Sequence, residues 1–88
     1  MNFEHIIFDC IKHSAGHSSR SAAETIGVSG ATFSDWLNCY RTRRFPKIDH
    51  LPNIAKLSGH DLRTVVDAYI IARAEKPETK RAFEDLAA

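Results

Sequence analysis

The 88-residue chain has only two cysteines, three prolines and four glycines. Cys10 and Cys39 are too few for a disulfide framework, and the sequence predicts a soluble protein of a reducing cytoplasm. No stretch approaches the roughly 20 consecutive apolar residues that a membrane span requires. The opening MNFEHIIFDCIKH is interrupted by Glu4 and Asp9, so no leader is expected there. Neither charge sign dominates: 12 Lys and Arg stand against 11 Asp and Glu. Global charge therefore names no partner, and only its distribution can. Period-two alternation is missing throughout, which argues against strands. Repeats and low-complexity linkers are missing as well, and a chain this long has room for one core.

What is present is helical periodicity. Phe3, Ile6, Ile7, Cys10 and Ile11 recur at i, i+3, i+4, i+7 and i+8, which defines one apolar face of a first helix ending near Gly16. The polar HSSRS predicts a second start around Ser18 or Ser19, with Ala22, Ala23 and Ile26 buried. Ser29 reads as the cap of a third helix with Phe33, Trp36 and Leu37 inward. A fourth is expected from about Asp49 to Ser58, burying Leu51, Ile54, Ala55 and Leu57, with Pro52 tolerated in its first turn. Asp61 opens a fifth, in which Leu62, Val65, Val66, Tyr69 and Ile70 share a face. Pro77 stops it and opens a short amphipathic tail using Phe83 and Leu86.

The stretch AAETIGVSGATFSDWLN, residues 22–38, sets glycines inside its strongest apolar rhythm. A glycine within a helix costs about 1 kcal/mol relative to alanine. The conflict resolves if two helices meet at Gly27, where a turn needs positive φ. Ala23 is then small because the helices touch there, and Val28 tucks under the bend. With Phe33, Trp36 and Leu37 inward, the third helix presents Gly30, Ala31, Thr32, Ser34, Asp35 and Asn38 outward or at its start. Arg41, Arg43, Arg44 and Lys47 follow with no acid between Asn38 and Lys47.

This set of residues resembles the Cro/repressor type of helix-turn-helix, the XRE-like DNA-binding domain of phage and bacterial regulators. The resemblance covers about residues 3–72. It rests on AAETIGVSGATFSDWLN, on IAKLSG in the fourth helix, and on WLNCYRTRRFP, a recognition-helix ending followed by a basic loop and a proline. It implies an all-α, compact five-helix repressor-like domain over 1–74 and a short helical tail over 75–88. It also implies that residues 29–38 enter the major groove and that Ser19 and Arg20 face phosphates. On the physical reading, small Gly30 and Ala31 allow close approach, and Ala31 can touch a thymine methyl. Thr32 and Ser34 can donate to or accept from base edges, and Asn38 can bond a base edge or a phosphate. Asp35 either accepts from a cytosine amine or orients a neighbouring arginine. Arg41, Arg43, Arg44 and Lys47 would clamp phosphates without reading sequence.

The expected function is a cofactor-free, sequence-specific regulator of transcription on double-stranded DNA, a repressor of phage or prokaryotic type in a bacterial cytoplasm. One such helix covers few base pairs, so a homodimer is expected, with Tyr69, Ile70, Ile71, Phe83 and Leu86 as its surface; the same residues would also serve to close the monomer's core. The rival is a protein-interaction module, antitoxin- or anti-repressor-like, using the C-terminal helices. Enzymatic and metal readings fare worse. GVSGA has its second glycine one residue early for a nucleophile elbow, and no strand precedes it. Cys10, His13 and His17 fall short of the four ligands of a closed zinc site. No small-molecule ligand is evident in the sequence.

Overall fold

The computed structural model describes residues 2–74, and every regular element among them is helical. α1 (Phe3–Lys12) begins where the Asn2 side chain accepts the Glu4 amide at 2.8 Å, satisfying one of the orphan N–H groups of the first turn. It stops short of Gly16. Ser14 turns its buried hydroxyl back onto the Ile11 carbonyl (2.7 Å) and forward to that of Ser18 (3.0 Å). A 3₁₀ turn over Ala15–His17 then passes through left-handed backbone at Gly16 and His17.

α2 (Ser19–Ile26) is capped by Ser18, whose hydroxyl accepts the Ser21 amide at 3.0 Å. It ends at Gly27, with φ of 95°, as the apolar pattern demanded. There the Ala23 carbonyl accepts both the Gly27 and the Val28 amides at 2.9 Å. The Val28 bond reaches back over one full turn, closing the helix end in the manner of a Schellman motif. α3 (Gly30–Leu37) restarts after only three intervening residues, Gly27, Val28 and Ser29.

Among the described residues six α-helices replace the five expected over 1–74. Asn38 leaves helical geometry (φ −120°, ψ 34°), but the chain re-enters a helix for one turn as α4 (Cys39–Thr42). Buried Cys39 gives that turn a reason to pack. Arg41 therefore sits on a helix and not in an open loop. The helix expected from Asp49 is also divided: a 3₁₀ turn over Ile48–His50 precedes α5 (Leu51–Ser58), which carries Pro52 in its first turn. α6 (Leu62–Ala74) follows the Gly59 turn.

α1 is the hub, packing against α2, α3, α5 and α6. Phe3, Ile6, Ile7 and Cys10 are completely buried, and each large side chain among them is worth about 1.5–3 kcal/mol of transfer free energy. The buried stripe of α6 is Val65, Ala68, Tyr69 and Ala72, rotated from the expected face; Leu62 and Ile70 stand exposed. The alanines allow α6 to lie close to its neighbours, and Tyr69 sets its edge-to-face contact with Phe3 (5.6 Å). At the opposite end of α1, Asp9 Oδ2 lies 2.6 Å from His60 Nε2, tying the helix to the α5–α6 turn. That hydrogen bond holds the Asp9 carboxyl below its ordinary range against the opposing effect of burial.

Candidate nucleic-acid interface

α3 is positioned from within. Phe33 and Trp36 are buried, their rings 6.1 Å apart, and Trp36 also meets His50 at 5.5 Å. A helix held by these two residues has a fixed rotation, and its remaining face is determined. Gly30, Ala31, Thr32 and Ser34 are exposed on it, whereas Asp35 and Asn38 are half-buried. Ser29 caps the helix by accepting the Thr32 amide (3.1 Å) and donates its hydroxyl to Thr32 Oγ1 (2.9 Å). Asn38 turns its amide group back to the Ser34 carbonyl at 3.1 Å. Gly30 and Ala31 thus leave the N-terminal turn of α3 almost bare of side chain.

The basic segment is attached to the other end of this helix. Thr42 Oγ1 donates to the Asp35 carbonyl (3.0 Å) and accepts the Arg44 amide (3.2 Å). Arg44 Nη1 stands 3.8 Å from Asp35 Oδ2. An exposed pair of this kind contributes under about 1 kcal/mol, so its effect is on placement more than on stability. It brings Asp35 and Arg44 together, and of the two roles open to Asp35 the described contact is the one with arginine. Thr42 was invisible to sequence reading; its only signal is a β-branched hydroxyl one turn beyond a helix end.

The other cations are placed differently. Arg41 and Lys47 are exposed. Arg43 has left-handed backbone (φ 57°), which directs its guanidinium over the Phe45 ring (5.3 Å) and onto the Arg73 carbonyl at the end of α6 (3.1 Å). Ser19 and Arg20 are exposed at the start of α2, and Arg20 Nε lies 3.4 Å from Glu24 on the same helix. That ion pair belongs to α2 alone and does not join Arg20 to the α3–α4 cluster.

Of the expected dimer surface, Tyr69 lies in the monomer's core. It is 4 % exposed, donates its hydroxyl to the Pro46 carbonyl (2.6 Å) and accepts from Arg73 (3.0 Å). A buried side chain bonded to its own chain offers nothing to a second copy. Ile70 and Ile71 are more than half exposed; Phe83 and Leu86, with the rest of the 75–88 tail, lie outside the described residues.

Cys10 is completely buried, its thiol 3.7 Å from the Ile54 carbonyl, and burial pushes its pKa up to about 12. A buried thiol held in its neutral form is a poor nucleophile. Ser29, the serine of GVSGA, is occupied as a helix cap. No helix among the described residues is long and apolar enough to cross a membrane. Comparison with protein-family models, curated proteins and solved structures gave no match.

Proposed function

We propose that the chain is a sequence-specific regulator of transcription, of the phage or prokaryotic repressor type, which inserts α3 into the major groove of double-stranded DNA. One observation carries the reading: an exposed helix face of small polar side chains has a basic segment fastened directly to its end by Thr42 and the Asp35–Arg44 pair. The bare turn at Gly30 and Ala31 suits close approach to base edges, and Thr32 and Ser34 can donate or accept there. Arg41, Arg43, Arg44 and Lys47 supply the sequence-independent attraction, with Ser19 and Arg20 as further phosphate contacts. Pairing of two copies across half-sites about 34–36 Å apart would complete the recognition, with the exposed Ile70 and Ile71 as the described part of the surface.

The test is a set of titrations against duplexes selected from a random pool and against scrambled duplexes, at one fixed salt concentration. Thr32→Ala or Ser34→Ala relaxes preference at one or two base positions, each contact carrying about 1–3 kcal/mol of discrimination. Asp35→Asn divides its two roles: a shifted base preference assigns Asp35 to a cytosine, and uniform tightening of every duplex assigns it to Arg44. Arg44→Ala weakens all duplexes and reduces the salt slope by about one unit. If none of the three α3 substitutions changes the ratio of specific to scrambled affinity, α3 is not the reader.

The exposed Ile70 and Ile71 also support a second reading, a protein-interaction module that grips its partner through the C-terminal helices. Salt-dependent duplex binding separates the two.

A further inference from the structure

The segment after α4 and the end of α6 line an open cleft of about 460 Å³, within the size range of small-ligand sites. Its wall is a pair of rings flanked by two guanidiniums. The Arg43 guanidinium lies over Phe45 (5.3 Å), Phe45 meets Tyr69 edge-to-face (6.5 Å, 86°), and the Arg73 guanidinium lies over Tyr69 (5.5 Å). Arg73 is fixed by donating to the Tyr69 hydroxyl, which is itself anchored on the Pro46 carbonyl. A guanidinium has five N–H donors, and this contact leaves Arg73 further ones to direct elsewhere. Lys47 adds a third positive charge from the rim. Among the described residues no carboxylate lines the cleft or pairs with Arg73 or Lys47. Beside the cations, Phe45, half-buried where it packs against the core, and Ile48, 68 % exposed, turn apolar surface to the cleft.

We propose that this cleft binds a small aromatic phosphate. The Arg73 and Lys47 cations match a dianion, and a guanidinium held in place over a ring loses little freedom on meeting phosphate oxygens. Phe45 and Ile48 cover the ligand's ring, which distinguishes the site from a patch that merely attracts anions. Arg73 and Lys47 carry the site, and its test stands apart from the DNA reading because it contains no DNA.

The isotope-labelled full-length chain is titrated with phenyl phosphate and with adenosine 5′-monophosphate while backbone amides are followed by NMR. Inorganic phosphate and adenosine serve as the two halves of the ligand. Saturable shifts confined to residues 43–48 and the Tyr69–Arg73 turn are expected with both aromatic phosphates, with each half binding about tenfold or more weakly. Lys47→Gln, at an exposed position that leaves the core untouched, lowers the affinity severalfold; Arg73→Gln lowers it further. Absence of saturable shifts, inorganic phosphate binding as tightly as phenyl phosphate, or an unchanged affinity in folded Lys47→Gln would each overturn the proposal.

Discussion

The turns that close α2 and α4 both pass through left-handed backbone, one at Gly27 (φ 95°) and the other at Arg43 (φ 57°). At Gly27 nothing lies within 4 Å of the place a Cβ would occupy. Space is not the constraint there; backbone conformation alone selects glycine. At Arg43 the same conformational region is held by a residue that loses roughly 1–2 kcal/mol by adopting it. What offsets the strain is the side chain, stacked on Phe45 and bonded to the Arg73 carbonyl. A left-handed turn takes glycine where only the fold requires it, and takes arginine where a guanidinium must be delivered to one place.

The largest expected effect is at the glycine. Gly27→Val should lower the unfolding free energy in urea by about 2 kcal/mol, and Gly27→Ala by about 1, because the cost is backbone strain and grows with β-branching. Midpoints equal to the parent's would show that the turn tolerates L-residues. The arginine gives a smaller effect of opposite logic. Arg43→Ala keeps the strain and loses the guanidinium, whereas Arg43→Gly loses both, so the glycine variant should be the more stable of the two by about 1 kcal/mol. An alanine variant as stable as the glycine variant would remove the contrast between the turns.

The smallest effect separates strain from charge. Strain in a turn does not titrate, but the Asp9–His60 link does. The folded Asp9 pKa is lowered from its ordinary 3.8, so the link's contribution is present above that value and is lost as pH falls through the still lower folded one. His60→Gln should therefore be less stable than the parent by under about 1 kcal/mol at neutral pH, with the gap closing below the ordinary carboxyl range. The Gly27→Val deficit should persist across the same titration. A His60→Gln deficit that stays constant down to acid pH would assign it to packing.

These contrasts also explain what could be read from the sequence. The α1 face, the Gly27 bend and the Ser29 cap were legible because each rests on a local rule: a period, a positive φ or a hydroxyl within reach of a free amide. Arg43 was not, since its conformation answers to Arg73 and Phe45, one of them thirty positions away. The extra turn of α4 escaped for a similar reason. Asn38 marks a helix end, and contacts distant in sequence restart it: Cys39 is buried in the core and the Tyr40 amide donates to Glu4. On α6 the apolar residues outnumber the places available, so periodicity left both Tyr69 and Ile70 as core residues where packing admits only Tyr69. At the candidate interface the outward face of α3 was legible from Phe33 and Trp36, while the Asp35–Thr42–Arg44 link needed the fold to bring it together.

The central place of α1 has a bearing on how the chain is made. A ribosome releases α1 first, at about 5–20 residues per second, yet Phe3 is closed by Tyr69 and Ile6 and Ile7 sit in a core that α5 and α6 complete. For several seconds the core face of α1 waits without the helices that will cover it. The native state therefore cannot accumulate piece by piece during synthesis. It forms when α6 arrives, and a nascent chain halted before that point presents α1 to chaperones and proteases as an unfinished core.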